Sequence, residues 1–493
     1  MSAAATGGML RMLRMLTPGT VLIILLTASG FGQSHAPKRP DMSREPAVGP
    51  LKPYRLGPRE VSSLPSGIRL FVVEDHRFPL VNVRLAVRGG DAAGGAEDAG
   101  LADALASLLT EGAGGRTARQ IAEESDAIGG DVSAAADQDT LVVSGFALSD
   151  KAERLLTLMR DVALRPDFPA AEVELRRKNM LEELRLDRSQ PDFLGRLAFF
   201  KRVYPGHPYG VTEPTEASIA RIDAPRLRAL HARLFTPKGA LLVIVGDISA
   251  AAAKQWAGAR FADWPSDAPP PPQAPAVEPS TAARRVYLVD RPGSAQTVLV
   301  VGNVSITERD PGYFPLLSAN EVLGGSFSSR LMQDLREKKG YTYGVRSRLA
   351  ADVQAGAFIV TTQVRTEVTG AALKDLLGEL ERIRAEAVKP EELSRAKSFL
   401  AGSFTRRLEK QDGVADALTH ALLHQLPDDF LDRYVSQVQA VTAEEALAAV
   451  RQDVRDAAGA VIIAVGDGAK IGEELKAFSA QPVQLLDLNG EKQ

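Results

Sequence analysis

Two apolar runs that end in the same tripeptide constrain this chain more than any other feature. Leu241-Leu242-Val243-Ile244-Val245 passes into Gly246-Asp247, and Val461-Ile462-Ile463-Ala464-Val465 passes into Gly466-Asp467, so the endings stand 465 − 245 = 220 residues apart. Upstream, Leu175-Arg176-Arg177 and Leu393-Ser394-Arg395 match at 393 − 175 = 218 residues. Two anchors at nearly one offset predict an internal duplication.

Each copy also opens alike. Leu70-Phe71-Val72-Val73 and Val81-Asn82-Val83-Arg84-Leu85-Ala86-Val87 open the first; Val286-Tyr287-Leu288-Val289 and Val298-Leu299-Val300-Val301 open the second. Such short runs of β-branched residues predict strands, the first two joined by a turn through Asp75 and Pro79. Helical patterns over 101–111, 170–188, 328–339 and 391–409 fill the interior of the copies. The fold class predicted is α+β: two homologous α+β halves, each a sheet plus helices, in a clamshell-type arrangement. Between them, Pro269-Pro270-Pro271-Pro272 cannot supply ladder donors and favours an extended spacer. The expected organisation is a first domain over 55–262, a Pro-rich linker over 263–284, a second domain over 285–475 and a tail over 476–493.

At the amino terminus, Arg11 and Arg14 precede Val21-Leu22-Ile23-Ile24-Leu25-Leu26 and then Ala28, Ser29 and Gly30, the order of a secretory signal. A signal peptide over 1–30 and a flexible lead-in over 31–54 are therefore expected. The apolar run falls short of the roughly 20 residues that a spanning helix needs, so no stable membrane span is expected after cleavage. An uncleaved anchor extended by Leu16 is the alternative. Export to a periplasmic or extracellular location follows from the leader.

Charge and cysteine content narrow the chemistry. Lys+Arg 59 against Asp+Glu 62 leaves a formal charge of −3, without the basic surplus that binding a phosphate backbone requires, so nucleic acid is not an expected partner. With Cys 0 there is no disulfide, thiolate zinc site or cysteine nucleophile, and metal binding falls to His, Asp and Glu.

The predicted helix Leu101-Ala102-Asp103-Ala104-Leu105-Ala106-Ser107-Leu108 has an apolar stripe through Leu101, Leu105 and Leu108, with Asp103, Ala106 and Ser107 on a neighbouring face. A strand, the pause Gly89-Gly90, the helix opening Gly100-Leu101-Ala102 and the exit Glu111-Gly112 surround it. This region resembles the inverzincin family of zinc peptidases, which includes pitrilysin, insulysin and mitochondrial processing peptidase. That family carries H-x-x-E-H here, two histidine ligands with a glutamate general base. The corresponding residues are Asp103, Ala106 and Ser107, so both imidazoles and the base are replaced. The family's third ligand corresponds to Glu183 in Met180-Leu181-Glu182-Glu183-Leu184. Asp103 and Glu183 alone would make a weak, hard-oxygen site, so no metal is expected in this chain and Asp103 reads as a solvated helix residue. His420 and His424 stand at i, i+4, a spacing able to hold zinc, but no third ligand follows at a recognisable spacing and packing or solvation is the favoured reading.

The second half holds Leu323-Gly324-Gly325-Ser326-Phe327-Ser328-Ser329-Arg330, then a helix ending at Lys338-Lys339-Gly340, then a strand start from Tyr341 to Val345. A serine cap is expected at its entry and a glycine stop at its exit. The helix–glycine–strand reversal can bring Arg336 beside Tyr343, two strong donors at one place. The alternative leaves Arg336 paired with Glu337 or Asp334, and Tyr343 packed. The glycine-rich loop lacks the G-x-x-x-x-G-K-[ST] phosphate cradle, which excludes nucleotide binding.

By resemblance, Arg336 and Tyr343 match the arginine and tyrosine, seven residues apart, that active inverzincins reach toward the zinc-bound peptide, and 343 − 336 = 7. The resemblance further implies that Gly324, Gly325, Ser326 and Phe327 touch peptide, as a glycine-rich loop does in the noncatalytic processing-peptidase subunit. It spans about 56–470. The function so implied is a zinc-free, non-catalytic subunit of an exported heterodimeric metallopeptidase of the processing-peptidase type. Its homologous partner would carry H-x-x-E-H and the zinc, and this chain would lend Arg336 and Tyr343 in trans. The alternative is a noncatalytic scaffold or peptide-binding protein of the same fold; a self-sufficient hydrolase built on His420 and His424 is the remote third.

Overall fold

The computed structural model describes residues 53–264, 274–277, 285–455 and 459–493. The predicted signal peptide, nearly all of the lead-in and most of the Pro-rich linker lie outside these residues.

The first half contributes β1 (Arg59–Ser63), β2 (Arg69–Glu74), β3 (Leu80–Arg88), β4 (Asp131–Ala136), β5 (Thr140–Leu148) and β6 (Leu241–Gly246), in the sheet order β1-β2-β6-β3-β5-β4. The second half contributes β7 (Arg285–Asp290), β8 (Gln296–Ser305), β9 (Thr342–Ala351), β10 (Gly356–Arg365), β11 (Val461–Gly466) and β12 (Gln484–Leu486), in the order β9-β10-β8-β11-β7-β12. Five strands of each sheet match in topology. In each, the Val-Gly-Asp strand runs parallel to one neighbour and antiparallel to the other: β6 to β2 and β3, and β11 to β7 and β8. β6 and β11 are apolar throughout and almost entirely buried, which suits central strands covered on both faces.

What covers those faces is an exchange between the halves. The helix Pro191–Val203 belongs to the first half, yet it packs on the second sheet: Phe199 joins a core with Val298, Val300, Ile463 and Val465. Gly195 permits the approach, because a Cβ there would stand 3.0 Å from Val300 and 3.3 Å from Val298. Reciprocally, Val414, Ala415, Leu418 and Leu422 of the helix Gln411–Leu423 pack on Phe71, Val73, Val243 and Val245 of the first sheet. The helices begin 411 − 191 = 220 residues apart, the offset of the Val-Gly-Asp endings. Among the described residues the two halves accordingly belong to one compact unit.

The predicted tail is structured as well. β12 pairs in parallel with β7, and Lys201 of the exchanged helix holds the Asn489 backbone carbonyl at 2.9 Å and Glu491 at 2.6 Å. Sequence pattern marks only two apolar residues in β12, Leu485 and Leu486, too few to announce a strand.

Candidate functional site

Gly100, with φ +81, opens the helix Leu101–Leu108 and turns Asp103 into a cleft of about 210 Å³ lined also by Asp91, Arg176, Glu183, Asp187 and Glu213. Ala106 is buried, and the Ser107 hydroxyl donates to the Ala104 carbonyl of its own helix at 3.1 Å. The long helix Ala170–Ser189 carries Arg176 and Glu183 two turns apart on one face. The Arg176 guanidinium donates through Nη2 to Asp103 Oδ2 at 2.6 Å and through Nη1 to both Glu183 oxygens at 3.1 Å. Asp103 is thus half-exposed, as a solvated helix residue would be, and is ion-paired as well. Two carboxylates that could approach a cation are spanned by a fixed organic one.

Two further acids of the cleft, Asp91 and Glu213, hold their protons more tightly than an ordinary carboxyl does. Burial, reinforced by the charges of Asp103 and Asp137, pushes the Asp91 carboxyl up to about 7; its Oδ1 is buried without a hydrogen-bond partner. Burial likewise pushes Glu213 up to about 7. A catalytic zinc of the inverzincin type does not fit these residues: they offer no imidazole, Ala106 stands where that family's glutamate base would be, and Arg176 bridges the carboxylates.

The second cluster is intact. Residues 330–338 are helical, with wide π-type turns over Met332–Lys338, and Gly340 at φ +62 reverses the chain into β9. No serine side chain caps this helix, because Ser329 Oγ is buried without a partner. A bulge between Thr342 and Val345 interrupts the β9–β10 register and turns Tyr343 outward, leaving it 90% exposed. The Arg336 guanidinium lies over two rings, 4.5 Å from the Phe327 centroid and 5.2 Å from that of Tyr343, with Glu337 3.6 Å away. Asp334 pairs with Lys339 at 2.8 Å. The structure therefore brings Arg336, Tyr343 and Phe327 together, and Tyr343 is not packed.

The four loop residues divide. Gly324 is buried, and a Cβ there would stand 2.5 Å from Ser347 Oγ, so its glycine serves packing against β9 and is not available to peptide. Gly325 and Phe327 are exposed and Ser326 is half-buried.

A third cluster was only partly visible in the sequence, as the His420 and His424 pair. His420 and His424 lie beside Glu308, 112 residues upstream of His420, with the His420 Nε2 to Glu308 Oε2 distance 2.8 Å. The third ligand candidate is thus present, brought in by the chain between β8 and the helix Tyr313–Asn320. The other described histidines hold local structure: His207 and His231 bond the backbone carbonyls of Pro275 and Ala163, and His76 bonds Asp247.

The duplicated α+β halves and the altered zinc cleft define a peptidase-like chain without the peptidase's two histidine ligands and glutamate base. The family model described as insulinase, peptidase family M16, matches residues 69–199, and that described as peptidase M16 inactive domain matches 221–400. This chain belongs to the M16 peptidase family. Among its relatives, an uncharacterized zinc protease of Mycobacterium leprae is 26% identical over 417 residues, covering 82% of this chain and 91% of that one. Another, of Bacillus subtilis, is 24% identical over 360 residues, covering 72% and 85%. The crystal structure of a peptidase M16 inactive domain from Pseudomonas fluorescens superposes with a TM-score of 0.78 at 28% identity, covering 83% of this chain and 98% of that one. A protease from Helicobacter pylori shares the fold, with a TM-score of 0.77 at 18% identity and coverage of 84% and 100%.

Proposed function

We propose that this chain is the zinc-free, non-catalytic subunit of an exported heterodimeric metallopeptidase, whose homologous partner carries H-x-x-E-H and zinc. The observation that carries this reading is the contrast between the two clusters. Arg176 closes the cleft where a zinc would sit, while Arg336 and Tyr343 stand together at the surface, on and beside β9, an edge strand of its sheet.

The chemistry assigned to that pair is transition-state stabilisation. A guanidinium and a phenol held at one place can both donate to the oxyanion that forms when water attacks a peptide carbonyl, a contribution of about 3 kcal/mol per well-placed donor. Phe327 offers its ring face to the guanidinium and helps to orient it. An extended peptide would pair along the exposed sheet edge, with Gly325, Ser326 and Phe327 beside it. Export rests on the leader pattern of residues 1–30. No helix among the described residues is long and apolar enough to cross a membrane.

Purification from the native host with this chain as bait tests the reading. A co-purifying homologue with H-x-x-E-H, and chelator-sensitive peptide cleavage by the pair but by neither chain alone, is the expected result. Recovery without such a homologue, or unchanged cleavage after replacing both Arg336 and Tyr343, supports the scaffold alternative. Detection of the mature amino terminus in exported fractions tests the location.

A further inference from the structure

We infer that Glu308, His420 and His424 form a zinc-binding site, separate from the altered cleft and independent of the subunit role proposed above. One ligand atom from each residue lies within 4.8 Å of the other two. A tetrahedral zinc with bonds of about 2.1 Å holds its ligands roughly 3.4 Å apart, so ordinary side-chain rotation closes the set. Two imidazoles and a carboxylate, with a fourth position open to water beside the exposed His420, are a donor set suited to zinc.

Three features distinguish this cluster from a chance surface contact. The helix Gln411–Leu423 is a rigid platform: Leu418 and Leu422 are buried on the first sheet, and the Leu426 N–H returns to the Ala421 carbonyl at 2.9 Å to close the helix end beneath His424. Glu308 is oriented from behind, its Oε1 accepting from the Tyr313 hydroxyl at 3.1 Å, the kind of outer hydrogen bond that fixes a metal-binding carboxylate. The His424 ring lies against that of His420, centroids 3.9 Å apart and tilted by 31°, yet its imidazole makes no hydrogen bond among the described residues, so its ring nitrogen is free to bind a cation. The neighbouring Arg309 does not block the site, because its guanidinium is drawn off to the Val353 carbonyl at 2.7 Å.

The duplication supplies a control within the molecule. At the offset of the exchanged helices, 420 − 220 = 200 and 424 − 220 = 204, positions held by Phe200 and Tyr204. Those rings are stacked, 6.1 Å apart and 9° from parallel. The first half thus completes this point of the helix without a ligand nitrogen. What the second half adds is two nitrogens and a carboxylate aimed at them. Bound zinc would tie the end of the exchanged helix to the segment that follows β8, fastening the joint between the halves.

Zinc titration of the full, untagged chain, stripped of metal and competed against a chromophoric chelator, tests the site. Saturable uptake of one ion per chain at sub-micromolar Kd is expected, with a zinc-dependent rise in Tm. His424→Ala and Glu308→Gln should each weaken uptake by more than about tenfold, the loss expected even for an outer-shell partner, whereas Asp103→Asn should leave it unchanged. Circular dichroism confirms that each variant is folded, and His420→Gln replaces any that is not. X-ray absorption should report two imidazole nitrogens on the zinc. Absence of saturable uptake, uptake that survives both His424→Ala and Glu308→Gln, or uptake lost only in Asp103→Asn overturns the assignment.

Discussion

Arg176 bonds Asp103 at 2.6 Å, and the same guanidinium reaches Glu183 at 3.1 Å, so one side chain takes the charge-balancing part that a metal would otherwise play between the carboxylates. Restoring the lost residues alone is therefore insufficient to restore a metal site. The triple variant Asp103→His, Ala106→Glu, Ser107→His is expected to bind zinc in the cleft poorly while Arg176 remains, because the guanidinium repels the dication and competes for Glu183. Adding Arg176→Leu should raise cleft affinity by at least about tenfold, roughly 1.4 kcal/mol. Zinc titration in a Glu308→Gln background isolates the cleft. Equal affinity with and without Arg176 would show that the arginine does not guard it.

Phe327 and Tyr343 both present their rings to the Arg336 guanidinium, 4.5 and 5.2 Å from their centroids, which makes its position depend on both. In the reconstituted pair, Arg336→Ala should lower kcat by about 10²–10³ with little change in KM, the pattern of an interaction made only in the transition state. Phe327→Ala should cost about tenfold or less, since it removes only the ring contact that orients the arginine, worth about 0.5–1 kcal/mol at an exposed site. Steady-state kinetics on one peptide substrate resolves the two. A pure KM effect of Arg336→Ala would reassign it to substrate docking.

The parts of this structure that were legible in the sequence are those written locally or repeated. The Val-Gly-Asp strands announced the duplication, and the helix–Gly340–strand reversal announced that Arg336 and Tyr343 converge. Arg176 carried a readable signal too: it stands seven residues before Glu183, two helical turns along the same face. Other features had no local trace. Which sheet the Pro191–Val203 helix covers is decided by contacts such as Gly195 on Val300, between residues 105 positions apart by 300 − 195. The pairing of Glu308 with His420 spans 112 residues, and no spacing rule reaches so far. The expected serine cap failed because tertiary packing buried Ser329.

Asp91 makes stability fall as pH rises. Its folded-state value of about 7 lies above the ordinary 3.8, so the folded chain binds more protons than the unfolded one between these values. The sign follows: the favourable contribution is complete below about pH 4 and is lost as pH climbs through about 7. The penalty at alkaline pH is on the order of 1–4 kcal/mol, at about 1.4 kcal/mol per unit. Asp91→Asn removes the titration, so this variant should gain Tm over the parent at pH 8 and show no gain at pH 4. Parallel Tm curves for the two proteins across that range would contradict the assignment.

Gly195 tests whether the exchange of helices holds the halves together. A Cβ at this position would press on Val300 at 3.0 Å and Val298 at 3.3 Å, and both belong to β8 in the middle of the second sheet, where the backbone has little room to yield. Gly195→Ala should be tolerated by a shift of a few tenths of an ångström, partly offset by the helix propensity it gains. Gly195→Leu cannot be accommodated so and should cost about 1–3 kcal/mol or more through overpacking. Because the helix belongs to one half and its bed to the other, the damage should appear as a loss of cooperativity: limited proteolysis of Gly195→Leu should release the two halves as separate fragments, while the parent and Gly195→Ala resist. Uniform digestion of Gly195→Leu, with no half-sized products, would mean that the halves cannot stand apart and that the joint is part of each core.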